Sequence, residues 1–194
     1  MEKSALLVMD VQRGVVDRLG DMTAYLERLA SAIEAARHAK IPVIYVVVQF
    51  RLGYPEAHPR NKITAELVSW GKFVQGGEEC DVHPAVAAAP GDVIITKTRV
   101  SAFSGTDLDL LLRSMGIENL VLAGLSTSRV VLSTVCQAFD LDYNITVLED
   151  LCQDQKLEVH QILVEEVFSQ QGKVLTGAEW AKEVRGGHKT SEEK

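Results

Sequence analysis

Cysteine is scarce in this chain of 194 residues: there are three, Cys80, Cys136 and Cys152, odd in number and far apart. Their spacing fits neither a disulfide framework nor a zinc pattern, and a reducing, cytoplasmic compartment is the expectation. Long apolar runs are missing as well. None approaches the ~20 residues that a membrane span requires. The first apolar stretch is interrupted at Asp10, too soon for the core of a signal peptide. Basic charge is in deficit, with 20 Lys plus Arg against 27 Asp plus Glu and a formal net charge of −7. A general nucleic-acid binder carries a basic face instead, so neither nucleic acid nor membrane is an expected partner. The five histidines show no paired spacing, and no metal or other cofactor is expected.

What is present is the composition of a globular domain, 46% hydrophobic and 24% charged, at a length suited to one domain. Short apolar runs occur at residues 5–9, 41–48, 92–96, 119–123 and 144–148, with a shorter one at 173–175. Runs that are apolar at successive positions predict strands covered on both faces, as in a parallel sheet. Between them the period changes. Leu26, Leu29, Ala30, Ile33 and Ala36 repeat at three and four, the stripe of an amphipathic helix. Further helices are predicted at 108–115, opened by Thr106-Asp107 and closed by Gly116, at 127–141, and at 157–168 ahead of Gly172. The fold class that follows is α/β, a three-layer α-β-α domain on a six-stranded, mainly parallel sheet. It is expected to span residues 1–184, with a flexible tail over 185–194.

Residues 49–91 break the alternation. They hold Pro55, Pro59, Pro84, Pro90, a Gly76-Gly77 pair and one short helical signal at 63–70. Long excursions of this kind build binding sites, and parallel sheets hold ligands beyond the carboxyl ends of their strands. Asp10, Gln49, Lys97 and the Gly124 turn all fall at such ends. Asp10 reads either as a cap or loop acceptor or as a reacting group. Lys97 reads either as a solvated strand end or as a partner that tunes the Asp10 carboxyl. Trp70 and Phe73 suit a pocket wall and an interface equally.

Together these segments resemble the isochorismatase-like hydrolase superfamily. The matching stretches are Leu6-Leu7-Val8-Met9-Asp10-Val11-Gln12, the block from Lys97 to Leu108, Leu120-Val121-Leu122-Ala123-Gly124-Leu125-Ser126-Thr127, and Tyr143 to Asp150. The resemblance implies an Asp–Lys–Cys site in the cysteine-hydrolase branch, where a thiolate attacks a carbonyl, the Asp takes the thiol proton and the Lys supports the charge. Asp10 and Lys97 match the first two positions. The thiol is implied six residues after Gly124, where this chain has Val130. Cys136 stands six residues further along the predicted helix, ~9 Å and ~600° away, and is read as a buried apolar residue. Cys152 is read as structural, and Cys80 is weighed as a thiol near the pocket mouth.

Isochorismatases proper, which also lack the cysteine, imply Asp10 as a general acid beside Lys97. They also imply Gln49 and Arg60 as substrate-holding groups, with Arg51 competing for the second role and ordinary loop hydrogen bonding as the alternative. They carry an aromatic residue where this chain has Ser126, which argues against isochorismate as substrate. The resemblance further implies a cis peptide before Ser126, an anion cradle from the N–H groups of Ser126 and Val130, and a homo-oligomer, dimer or tetramer; Thr127 is read as the helix cap, and Ser128 is weighed as a replacement nucleophile. The expected function is a small-molecule hydrolase with Asp10 as general acid/base, Lys97 as its tuner and Ser126, Thr127 and Val130 around the substrate. The alternative is a non-catalytic relative that binds a small carboxylate or a protein partner.

Overall fold

A computed structural model describes residues 3–186. Strand β1 (Lys3–Met9) leads through the turn α1 (Arg13–Val16) and helix α2 (Thr23–His38) to β2 (Val43–Val48). The excursion holds α3 (Lys62–Ser69) and two 3-10 turns, Glu78–Cys80 and Pro84–Val86, before β3 (Val93–Lys97). Next come α4 (Leu108–Met115) and β4 (Ile117–Leu125), then a π-helical turn, Thr127–Val131, that winds into α5 (Leu132–Asp140). After β5 (Asn144–Gln153), α6 (Leu157–Ile162) passes through a π-helical stretch, Leu163–Phe168, into α7 (Ser169–Gln171). β6 (Lys173–Leu175) and α8 (Gly177–Gly186) follow. No helix among the described residues is long and apolar enough to cross a membrane.

All six strands join one parallel sheet in the order β3-β2-β1-β4-β5-β6. The alternation of side chains along β1 sets the layers. Ala5, Leu7 and Met9 share one core with Leu108 and Leu112 of α4 and with Val135 and Ala138 of α5. Leu6 and Val8 share the other with Leu26, Leu29 and Ile33 of α2 and with Trp180 of α8. Every residue of β2 is buried, which explains its unbroken Val-Ile-Tyr-Val-Val-Val run. The α4 helix ends where the sequence places its end, because Gly116 adopts a left-handed φ of +67° that a side chain would oppose.

Two elements depart from the sequence expectation. Strands β4 and β5 run beyond 123 and 148, and the β4–β5 register slips between Leu122↔Val147 and Gly124↔Cys152. The slipped segment holds Asp150, whose Oδ1 accepts from the Gly177 N–H at 2.6 Å, and Leu151, whose carbonyl accepts from the Tyr25 hydroxyl at 3.1 Å. Charges that read as a strand's end instead fasten two helices to it. The second departure is α8, which takes in Arg185 and Gly186 of the expected tail; the rest of that tail, 187–194, lies outside the described residues. Its signal was local. The Thr176 N–H donates to Glu179 Oε2 at 2.8 Å and the Glu179 N–H to Thr176 Oγ1 at 3.2 Å, a reciprocal cap three residues apart.

The chain steps from β1 to β2 to β3 in one direction and then crosses back to lay β4 on the other side of β1. Asp10 and the Gly124 turn therefore lie side by side where the winding reverses, the place such sheets offer a ligand. The approach is close: a Cβ at Gly124 would stand 2.4 Å from the Met9 carbonyl oxygen. Gly124→Ala is expected to cost about 2–3 kcal/mol by forcing β1 and β4 apart. A lowered urea midpoint at unchanged slope would show it; an unmoved midpoint would mean the strands are not so tightly apposed.

Candidate functional site

Asp10 follows the last residue of β1 and takes a left-handed backbone, φ +57°, while its N–H donates to the Val46 carbonyl at 2.8 Å. The turn in the backbone tips the carboxyl over the end of β2. Lys97 reaches the same point from β3, where Val48↔Lys97 is the last register pair with β2. Its Nζ donates to Asp10 Oδ2 at 2.9 Å and to the Arg99 carbonyl at 3.0 Å. Lys97 is 3% exposed and Asp10 is 9% exposed. Asp10 Oδ1 is buried and has no hydrogen-bond partner. Burial pushes the Asp10 carboxyl above the usual carboxylate range, and the charge and hydrogen bond of Lys97 offset only part of that rise.

The pair opens into a cavity of about 620 Å³, within the range that holds small-molecule ligands. Its apolar wall includes Val48, Phe50, Leu67, Trp70, Phe73 and Val130. Larger hollows exist, about 680 Å³ between α2 and α8 and about 1360 Å³ at the amino ends of the strands, but neither contains a buried acid–base pair. Five basic side chains line the cavity, Arg18, Lys97, Arg99, Arg129 and Lys156, against three acids, Asp10, Glu66 and Asp154. Burial works against the Asp154 carboxylate, but hydrogen bonds from Ser128 and from the backbone at Lys156 and Gln155 hold it below the usual range. Among the described residues no group of three or more His, Cys, Asp or Glu side chains is arranged to hold a metal ion.

The structure brings some of the sequence candidates together and separates others. Asp10, Lys97, Ser126 and Val130 share the cavity, and the Leu125–Ser126 peptide bond is cis. Val130 is 1% exposed and presents only methyl groups where a thiol is implied by resemblance. Thr127 faces away, with its hydroxyl 2.8 Å from His160 Nδ1 on α6. Gln49 does not line the cavity either. Val48 does, and the next side chain along an extended segment points to the other face, here toward the Cys80 thiol. Arg60 is exposed, bonded through its N–H and Nε to His58 Nδ1 at 3.1 and 3.4 Å, on a shallow surface ahead of α3. The turn that lets Asn61 cap α3 carries Arg60 outward. Arg51, its competitor, is ion-paired with Glu56 outside the cavity.

None of the three cysteines lines the cavity. Cys80 lies behind its wall among Val48, Phe50 and Phe73, with the thiol donating to the Val74 carbonyl at 3.2 Å, and burial pushes that thiol up. Cys152 is in the core, and burial pushes its thiol up to about 12. Cys136 is half-buried on α5. Sequence reasoning missed Arg18, Arg99 and Asp154. Arg99 lay inside the quoted Lys97 block, and its guanidinium grips the Thr98 and Glu56 carbonyls at 2.8 and 3.0 Å, tying the excursion to the end of β3.

Fold and site together define an α/β protein with a small-molecule cavity at a sheet switch point, floored by a buried carboxyl–ammonium pair. More narrowly, the chain belongs to the isochorismatase family, whose domain matches residues 4–179. The uncharacterized isochorismatase family protein YwoC of Bacillus subtilis (strain 168) is 31% identical over 186 residues, 95% of each chain. The ureidoacrylate amidohydrolase RutB of Variovorax paradoxus (strain S110) is 34% identical over 171 residues, spanning 76% of this chain and 67% of that one. An isochorismatase family protein from Burkholderia thailandensis superposes with a TM-score of 0.79 at 29% identity, covering 93% of this chain and 96% of its own. N-carbamoylsarcosine amidase from Thermoplasma acidophilum does so at 0.75 and 26%, covering 91% and 97%. The α/β fold read from the sequence is thus the family's fold, here with an all-parallel sheet.

Lys97→Met would remove the cation that restrains the Asp10 carboxyl, so that carboxyl should rise further. A carboxyl raised on folding supports stability at low pH and withdraws it as pH climbs through the folded-state value. The variant should therefore lose melting temperature more steeply than the parent as pH rises from about 4. Superimposable pH profiles of melting temperature would show that Lys97 does not control Asp10.

Proposed function

We propose that this isochorismatase-family hydrolase acts on a small molecule without a cysteine nucleophile, using Asp10 as its general acid and base and Lys97 as the group that tunes it. The observation that carries the reading is Asp10 Oδ1, buried and without a hydrogen-bond partner, on a residue that lines the same cavity as Val130. A carboxyl pushed up by burial holds a proton that an ordinary aspartate would have lost, which suits it to donate. For a carbon–nitrogen bond, Asp10 gives this proton to the leaving nitrogen, water adds to the carbon, the carbon–nitrogen bond breaks as the amine departs with the donated proton, and the proton released from the water returns to Asp10. Lys97 holds Oδ2 throughout, so the exchange takes place at Oδ1. Relatives named as an amidohydrolase and an amidase favour hydrolysis of a carbon–nitrogen bond. The true isochorismatases, by the resemblance, offer a vinyl ether instead.

A screen of small amides, ureides and vinyl ethers identifies the substrate. On that substrate Asp10→Asn should lower kcat by about 10²–10⁴ with a much smaller change in KM. Circular dichroism melting confirms that the variant is folded. In the parent, turnover should fall as pH rises through the Asp10 value, because the acid form is the one consumed. Undiminished turnover in Asp10→Asn would rule out this mechanism. Saturable ligand binding with no turnover of any compound would favour the second reading, a binding protein, which the loss of a nucleophile at Val130 supports.

A further inference from the structure

Arg18 has no role in the chemistry just described, yet it lines the same cavity. Its guanidinium carbon lies 4.6 Å from the centre of the Trp70 ring and 5.8 Å from that of Phe73. Stacking of this kind engages the faces of a guanidinium and leaves its in-plane N–H donors free. Among the described residues no carboxylate lies within 4 Å of Arg18, and its side chain makes no hydrogen bond. The neighbouring cations differ. Lys97 is committed to Asp10 and the Arg99 carbonyl, and Arg99 to the Thr98 and Glu56 carbonyls. Arg129 and Lys156 are exposed, as is Arg18, but unlike Arg18 they have no aromatic surface to place them. Arg18 is thus a free fork of donors, held by two rings at a cavity that is basic in balance within a chain of net charge −7.

We propose that the cavity selects monocarboxylates with an apolar body, and that Arg18 is the specificity-determining residue that reads the carboxylate. The inference rests on the reading of this cavity as the substrate site. A planar carboxylate meets the edge of the guanidinium through two parallel N–H···O bonds, a geometry an ammonium cannot match. The body of the molecule then lies along Phe50, Phe73 and Val130 toward Asp10. A neutral isostere keeps the apolar contacts and loses the charge-assisted pair.

The test uses benzoate and its neutral isostere benzamide on the full chain at low salt. Of the two tryptophans, Trp70 is 46% exposed beside Arg18 and Trp180 is 4% exposed in the far core. Trp180→Phe leaves Trp70 as the sole tryptophan reporter, and calorimetry on the parent protein repeats the titration without that substitution. Benzoate should bind saturably and at least ~10-fold more tightly than benzamide. Arg18→Gln should bring benzoate down to the benzamide level while leaving benzamide binding unchanged; a purely structural role for Arg18 would weaken both. Arg18→Lys should fall between. Asp10→Asn separates the two readings, because it should lower turnover by about 10²–10⁴ yet preserve the preference for benzoate, so either reading can fail alone. Equal affinities for the two probes, undiminished benzoate binding in Arg18→Gln, or no saturable binding of either would overturn the assignment.

Discussion

Two opposite charges are withdrawn from water at one edge of this sheet, and the site is organised by how they are held there. Burying either charge alone would cost several kcal/mol, and mutual attraction offsets that only when the geometry is good and the remaining polar atoms are satisfied. Lys97 meets both conditions, with its ammonium placed between Asp10 Oδ2 and the Arg99 carbonyl. Asp10 meets only the first, since Oδ1 is left without a partner. The deficit in hydrogen bonds is on the acid side of the pair, and burial prevails there over the neighbouring cation. What makes the arrangement possible is strand register: Met9 opposite Val46 and Val48 opposite Lys97 bring the ends of β1 and β3 to a common point above β2.

Several polar groups around that carboxyl are engaged elsewhere. The Thr127 hydroxyl is engaged with His160, the Ser128 N–H with Asp154, and the N–H groups of Arg129 and Val131 with the Ser126 carbonyl. Val130 contributes apolar surface, and the thiols of Cys80 and Cys152 are buried behind the walls. An apolar lining also lowers the local polarity, which strengthens the Asp10–Lys97 attraction while it penalises the ionised form of Asp10. The absence of a thiol thus has a positive counterpart: the acid is left in the setting that favours a stored proton.

The sheet was legible from the sequence because covered parallel strands leave unbroken apolar runs, and β1, β2 and β3 were found within a residue or two. The parts that were not legible depend on distant residues. Glu149-Asp150 reads as a strand ending, and only the docking of Gly177 and Tyr25 explains why β5 continues through it. α8 was missed although its Thr176–Glu179 cap stood in plain view, because too few apolar residues follow it for a stripe to be noticed. In the site, Asp10 and Lys97 could be placed since each ends a strand. Gln49 illustrates the limit of that logic: it also stands at a strand end, but one residue's alternation turns it toward Cys80.

The charge count shows the same distinction between average and local information. A net charge of −7 describes the whole surface and argues against a broad basic face. It says little about a concave site, because charges farther away than a Debye length of about 8–10 Å are largely screened. At the cavity the field is set by the residues that line it, and there basic groups outnumber acids. Two of those bases, Arg18 and Arg99, stand on different segments and come together only after β1 and β3 are paired to β2. An acidic protein can therefore present a basic pocket, and its sign is a property of strand order that no composition total records.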